Sequence, residues 1–200
     1  PFDAAATALK FDIAVYLARK GAKGEKFAGT PMACACEKGD LDTVKALVEG
    51  HDVEKTGISV DEMVSKEGKD SWGNPRTPLQ EAAVYEQFEI VQYLVKSCPT
   101  VDLIGQTNSK YGWNSLHWAA QSSKKNVQML QLLIDNYNGD IKQIINRKNN
   151  DGWTPLDYAY WNSSPIKNDK VSLLRKYGGK ANWWDKNGNY VGKGKGDLND

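Results

Sequence analysis

The sequence predicts an all-α protein built from stacked helix–turn–helix repeats, and three observations support this prediction. A short phrase recurs along the chain, as GTPMACACEKG, RTPLQEAAVYE, YGWNSLHWAAQ and DGWTPLDYAYW. After most copies, apolar residues follow at helical spacing. The copies are about 40 residues apart, the spacing of repeat arrays in which neighbouring units share one core. The first segment, PFDAAATALKFDIAVYLARKGA, fits the same frame as these four copies. The alignment therefore gives five units, near residues 1–29, 30–76, 77–113, 114–153 and 154–181, followed by a tail at residues 182–200.

Each unit is expected to contain two helices. The first helix has a hydroxyl residue that can cap its start and a proline at its first position, as in the pairs Thr30–Pro31, Thr77–Pro78 and Thr154–Pro155. The second helix carries an apolar stripe, formed in successive units by Phe11, Ala14, Leu17, Ala18; Leu41, Val44, Leu47, Val48; Phe88, Val91, Leu94, Val95; and Val127, Leu130, Leu133, Ile134. The last unit has Asn168, Val171, Leu174 and Arg175 there, a half-polar stripe typical of a terminal repeat.

These motifs resemble the ankyrin repeat family. The resemblance runs from Pro1 to Ala181 and is clearest in GWTPLDYA, GTPMACACEKGDLDTVKALVEG and RTPLQEAAVYEQFEIVQYLV. It implies an all-α ankyrin-repeat solenoid of about five helix–turn–helix repeats with hairpin loops. One long inserted loop and the C-terminal tail depart from the regular period of about 33 residues.

The inserted loop covers residues 51–75. Within it, SVDEMVSKEG places Ser59 three residues before Glu62, which predicts a short capped helix. The insertion is either a protruding segment that recognises a partner or a surface insertion without a binding role, which costs little loop-closure entropy. In the tail, WWDKNGNYV predicts a β-hairpin around an Asn-Gly turn. Trp183 and Trp184 either cover the open end of the array or dock into another subunit.

The family resemblance also implies where a partner would be held. The residue before each Thr-Pro lies in a projecting hairpin, and the residues after the paired alanines face the concave side. We therefore expect an aromatic stripe that binds another protein. The predicted partner-binding residues are Trp72, Arg76, Tyr85, Trp113, Gln121, Trp153 and Trp161. The alternative is that Trp113 and Trp153 pack on neighbouring hairpins and stabilise the long loops.

Catalytic chemistry is not predicted. The two histidines lie far apart in the repeat frame, no zinc-ligand spacing exists, and the Asp185 segment lacks the glycine and glutamate of a calcium loop. We expect no enzyme activity, no catalytic residue, no cofactor and no metal. His117 is expected to bond neighbouring backbone, and Trp118 and Tyr158 are expected in the core.

Charge and cysteine content limit the partners and the compartment. The chain of 200 residues has 26 basic and 25 acidic residues, so its net charge of +1 gives no general attraction for nucleic acid. No apolar run approaches the roughly 18 residues of a membrane helix, so we expect no membrane insertion. Three cysteines, an odd number, predict a reducing, intracellular location, with the cytoplasm first. Because the sequence begins at Pro1, a plastid or mitochondrial location after removal of a transit peptide is the alternative.

The expected function is therefore a non-catalytic scaffold that binds a partner protein through its concave groove and hairpin tips. The alternative is a structural or accessory subunit of a larger, organellar complex.

Overall fold

The computed structural model describes residues 30–50, 59–69, 74–123, 127–162 and 167–197. Within these ranges the chain forms ten helices and one two-stranded ribbon, which confirms the predicted all-α class. The helices are α1 (Thr30–Lys38), α2 (Leu41–Glu49), α3 (Val60–Ser65), α4 (Pro78–Val84), α5 (Phe88–Ser97), α6 (Ser115–Gln121), α7 (Gln128–Asp135), α8 (Ile141–Ile145), α9 (Pro155–Trp161) and α10 (Lys167–Lys176). The strands are β1 (Gly68–Lys69) and β2 (Pro75–Arg76). The predicted unit at residues 1–29 and Trp72 lie outside the described residues.

The chain divides into two compact units, residues 1–103 and 104–200. In the first unit, α1 pairs with α2 and α4 pairs with α5, while α1 packs on α4 and α2 on α5. Apolar side chains from these helices form its core, with Ala35, Val44, Leu79 and Leu94 fully buried. Two successive helix pairs thus share one interior, as the repeat pattern predicts.

The inserted loop contains the predicted capped helix. Ser59 accepts a hydrogen bond from the Glu62 amide at 3.0 Å and begins α3. Met63 and Val64 are buried and α3 packs on α4, so this part of the insertion does not protrude. The following residues pair as β1 and β2, which are antiparallel with Gly68 opposite Arg76. The insertion is therefore folded back onto its own unit over its described length.

The predicted helix starts at Thr77 and Thr154 are confirmed by their hydrogen bonds, whereas Thr30 is itself the first residue of α1. Thr77 and Thr154 are N-caps, each followed by proline at the first helical position. Both form capping boxes, in which the side chain three residues later bonds back to the amide of the cap. Asn114 does the same for α6. These contacts satisfy donors that a helix start would otherwise leave unpaired.

In the second unit α6 pairs with α7 and α9 pairs with α10, and α6 packs on α9. The long connection after α7 contains α8, whose Ile144 and Ile145 are buried. The predicted stripe of α7 is confirmed in Leu130, Leu133 and Ile134, which lie in the core.

The terminal stripe of α10 is half-polar, as the sequence predicts, but the helix also buries a lysine that the pattern did not mark. Leu174 is buried, but Asn168 is exposed and the side chain of Arg175 remains partly exposed. The second buried residue is Lys170, with 1% of its surface exposed. Its ammonium group donates to the carbonyl oxygens of Ala119 at 2.9 Å and Ser122 at 2.5 Å, at the end of α6. A charged group can be buried there because the unpaired carbonyls of a helix end surround it.

Candidate partner-binding surface

Two matching turns place the tryptophans of the recurring phrase. In the first turn the Asn108 side-chain oxygen accepts from the amides of Tyr111 and Trp113, at 3.1 and 3.0 Å. In the second, Asn149 accepts from the amide of Trp153 at 2.7 Å. The glycine before each tryptophan has a positive φ, 69° at position 112 and 86° at position 152. Glycine is favoured at both positions because other residues are strained in this conformation.

Trp113 packs inside the second unit. Its ring centroid lies 4.3 Å from that of Trp118 on α6 and 4.3 Å from that of Tyr158 on α9. Trp118 is buried and Tyr158 is half-buried, with its hydroxyl accepting from the Asn149 side chain. The half-buried Trp113 thus joins its turn to two successive repeats, the arrangement expected if it stabilises the loops.

His117 links the same two repeats through the backbone. Its Nδ1 accepts from the Asn114 amide at 3.2 Å, and its Nε2 lies 3.1 Å from the carbonyl oxygen of Trp153. These contacts confirm the expected structural role. The ring is fully buried, and this burial lowers the pKa of His117 to about 4.

The C-terminal tail folds onto α9. The Asp157 carboxylate accepts hydrogen bonds from the amides of Asn182 and Trp183, at 3.0 and 2.8 Å. The Asn182 side chain donates to the Gly152 carbonyl at 2.7 Å. Burial raises the pKa of Asp157, although four donor groups around the carboxylate act in the opposite direction. These contacts place Trp183 beside Trp153.

The far end of the tail is fastened by an ion pair. Arg175 on α10 meets the Asp197 carboxylate at 2.5 Å, and the same arginine donates to the hydroxyl of Tyr160. Between these anchors the chain reverses at Gly188, and Trp184 and Tyr190 form an isolated antiparallel bridge. The Trp184 ring stacks on Tyr160 with centroids 5.7 Å apart.

These contacts assemble a surface that we call the aromatic strip, consisting of Trp161, Trp153, Trp183 and Tyr190. Successive ring centroids lie 5.6, 5.4 and 6.0 Å apart. The two end members, Trp161 and Tyr190, are 65% and 56% exposed, while the middle two are half-buried. Neighbouring rings hold one another in place, so the strip is a preformed surface.

Comparison with known protein families identifies the fold. A model described as ankyrin repeats in three copies matches residues 58–144 and 103–187, and a model of a single ankyrin repeat matches residues 29–58. The chain belongs to the ankyrin repeat family. Ankyrin repeats generally mediate protein–protein interactions and are generally non-catalytic.

This ankyrin array is also similar to a curated protein, the SMC5-SMC6 complex localization factor protein 1 of Bos taurus. The two sequences are 33% identical over 99 residues, which is 50% of this chain but 8% of the bovine protein. The similarity therefore concerns a small part of that protein.

Within the ankyrin array, the predicted partner-binding residues differ in location and in exposure to solvent. Trp153 and Trp161 lie on the aromatic strip, and Gln121 is exposed at the end of α6. Tyr85 is half-buried in the first unit, where burial and then Glu37 raise its pKa.

Arg76 corrects the expectation of an exposed hairpin position. It is 6% exposed, and its guanidinium forms an ion pair with the equally buried Glu81 at 2.9 Å. The arginine precedes Thr77 as in the family pattern, but its side chain turns inward because Glu81, in the first turns of α4, provides a buried partner.

The sequence pattern missed Tyr190 and Lys193 as surface residues. They lie in a Gly- and Lys-rich tail outside the repeat frame, so no alignment of units could assign them a position. The available signal was the pair of tryptophans in WWDKNGNYV, together with its Asn-Gly turn.

Other kinds of site are not seen in the described part of the array. No group of three or more His, Cys, Asp or Glu side chains there could hold a metal ion. None of the helices described combines the length and the apolar character that a membrane crossing requires. The array's most distinctive surface is the aromatic strip.

Proposed function

We propose that this chain is a non-catalytic interaction module that binds a partner protein through the aromatic strip. The observation that carries the proposal is the exposure of Trp161 and Tyr190 at the ends of a continuous row of four rings. Large apolar surface on a protein usually marks an interaction site. Tryptophan and tyrosine are also among the residues that most often dominate binding energy.

The rigidity of the strip supports the same proposal. Trp153 is fixed by its turn and by Tyr158, and Trp183 is fixed by the Asp157 carboxylate. A preformed surface loses little side-chain entropy when a partner binds, which favours affinity. The bovine relative is named for localising a complex, and a recruiting role of this kind fits an interaction module.

The compartment is part of the proposal. We infer a reducing environment, in keeping with Cys34, Cys36 and Cys98, which are free thiols. Burial raises the pKa of Cys36 well above its ordinary value, which makes this thiol unreactive.

The first prediction tests the strip directly. Trp161→Ala should weaken partner binding by roughly 30-fold, the effect of losing an interface residue worth about 2 kcal/mol. The measurement is affinity purification of the tagged chain from its source cells with quantitative mass spectrometry. It is followed by titration of the purified partner against both proteins. Because Trp161 is exposed, its removal should leave the melting temperature nearly unchanged.

Tyr93→Ala is the matched control, since Tyr93 is a half-buried aromatic of the first unit and lies outside the strip. Binding that survives Trp161→Ala but is lost in the control would move the interface to the first unit. If several subunits copurify and neither change matters, the chain is a structural subunit held by other surfaces.

A further inference from the structure

Charge is distributed unevenly along the chain, although the total is close to zero. Residues 1–103 contain 12 lysines and arginines and 17 acidic residues, whereas residues 104–200 contain 14 lysines and arginines, eight aspartates and no glutamate. The unit that carries the aromatic strip therefore has a net charge of +6, opposite in sign to the −5 of the other. The net charge of +1 is the sum of these two opposite values and does not reveal the difference.

Positive charge lies directly at the strip. The Lys193 side chain lies across Gly152, the residue before Trp153, with its Cε 3.0 Å from where a Cβ on that glycine would be. Lys186 and Lys195 are exposed on the same tail. In the described part of the chain, the ammonium groups of these three lysines have no hydrogen-bond or ion-pair partner.

The acidic groups near the strip make their close contacts with the fold and not with these lysines. Asp157 accepts from the tail amides, and Asp197 pairs with Arg175. The Asp185 carboxylate accepts from the Asn187 and Asn189 amides. Among the described residues, Asp151 is exposed beside Gly152 and adds a negative charge at this edge. No described carboxylate forms an ion pair with these lysines, so their ammonium groups can pair with a carboxylate of a partner.

We propose that the aromatic strip binds an acidic segment of the partner protein, in which an apolar side chain packs on Trp161 and Trp153 while a carboxylate pairs with Lys193. The proposal rests on the protein-binding function above and adds the chemical class of the partner. Attraction between the lysines and an acidic segment increases the rate at which the two proteins associate, and repulsion by the lysines disfavours basic segments. Indole rings also attract cations, but a basic segment would meet the positive lysines at close range.

The size of the strip limits the segment. The successive centroid distances bound its length at about 17 Å, room for about five residues of an extended chain at ~3.4 Å per residue. A short motif with one apolar anchor and two or three acidic neighbours fits these dimensions.

The test is a selection of random peptides displayed on phage, with the full chain as bait. Asp and Glu should be enriched beside an aromatic or aliphatic residue. A synthetic peptide with the enriched sequence should then bind Lys193→Glu at least about fivefold more weakly. Added salt should weaken binding to the unchanged chain. Lys142→Glu is the control, because it makes the same charge change at an exposed lysine of α8.

Each outcome has a defined meaning. Enrichment of neutral or basic peptides that still need Trp161 would overturn the acidic partner and leave the proposed function standing. Acidic peptides that bind Trp161→Ala as well as the unchanged chain would remove the strip as the site, and no enrichment above background would also overturn the proposal. Sedimentation showing self-association that Trp161→Ala abolishes would identify the occupant as a second copy of the chain.

Discussion

At the scale of single residues, His117 illustrates how a family position acquires its role. The sequence places it third after the cap of α6, where it completes a capping box. Its other ring nitrogen reaches the carbonyl of Trp153 in the next turn, so one side chain serves two repeats. In this position the ring is completely buried, and burial favours the neutral ring.

This burial predicts an acid sensitivity. The folded pKa of about 4 lies below the unfolded value of 6.5, so the stabilisation by neutral His117 is complete above pH 6.5 and is lost as the pH falls towards 4. The loss should amount to about 3 kcal/mol. Urea unfolding at neutral pH and near pH 4, followed by tryptophan fluorescence, measures it.

The comparison protein is His117→Gln. Gln80 occupies the equivalent position of the α4 capping box, so glutamine keeps the hydrogen bond but does not titrate. Its stability should fall less than that of the unchanged chain on acidification. If both proteins lost the same stability on acidification, the folded protein would tolerate a charged His117 ring. Nδ1 would then donate to the Asn114 side-chain oxygen, 2.6 Å away.

At the scale of elements, side chains from the next repeat donate hydrogen bonds to the carbonyl oxygens at the C-terminal end of α6. Lys170 donates to carbonyl oxygens of its last turn, and the Asn162 side chain donates to those of Ala120 and Ser122. A helix end without such donors would leave buried carbonyls unpaired. The polar groups of the last repeat therefore contribute to the core of the unit.

Replacing Lys170 with methionine tests this closure. Methionine keeps most of the side-chain volume but removes the donor, so the free energy of unfolding should fall by about 1–3 kcal/mol. Denaturant unfolding of the purified protein measures the change. Lys176→Met, at an exposed position of the same helix, should change stability by less than about 0.5 kcal/mol. If the two variants behaved alike, the buried lysine would have no role in the closure.

At the scale of the molecule, the second unit is completed by the tail. A terminal repeat has one face without a neighbouring repeat, and repeat arrays usually make that face polar. Here Trp183 packs on Trp153 and Trp184 packs on Tyr160, and Ala181 is fully buried. The tail therefore covers the last repeat and also supplies half of the aromatic strip.

A chain shortened to end at Ala181 should show both effects. Loss of two indoles from the unit should lower its stability by at least about 2 kcal/mol, from ~1.5–3 kcal/mol for each large buried side chain reduced for partial exposure. The newly exposed surface should also promote aggregation. Thermal melting and light scattering measure these changes, with a chain ending at Asp197 as the control. A shortened protein that stayed monomeric and equally stable would show that the tail is not part of the fold.

The sequence by itself determined the repeat fold. Hydroxyl caps, prolines and apolar spacing act within a few residues of one another, so their structural consequences can be read locally in Thr77, Thr154 and the stripe of α7. The same reasoning found Ser59 and the structural role of His117. It also selected Trp153 and Trp161, because the recurring phrase marks those positions in the family.

Only the tertiary structure decided which side chains reach the surface. Arg76 is buried because it forms an ion pair with Glu81. Lys170 is buried because it donates to carbonyl oxygens at the end of α6, in another repeat. Trp183 lies beside Trp153 because the Asp157 carboxylate accepts hydrogen bonds from the tail. These contacts link residues up to 51 positions apart in the chain. Burial of a charge or a ring depends on such partners, and sequence spacing does not reveal which distant groups meet.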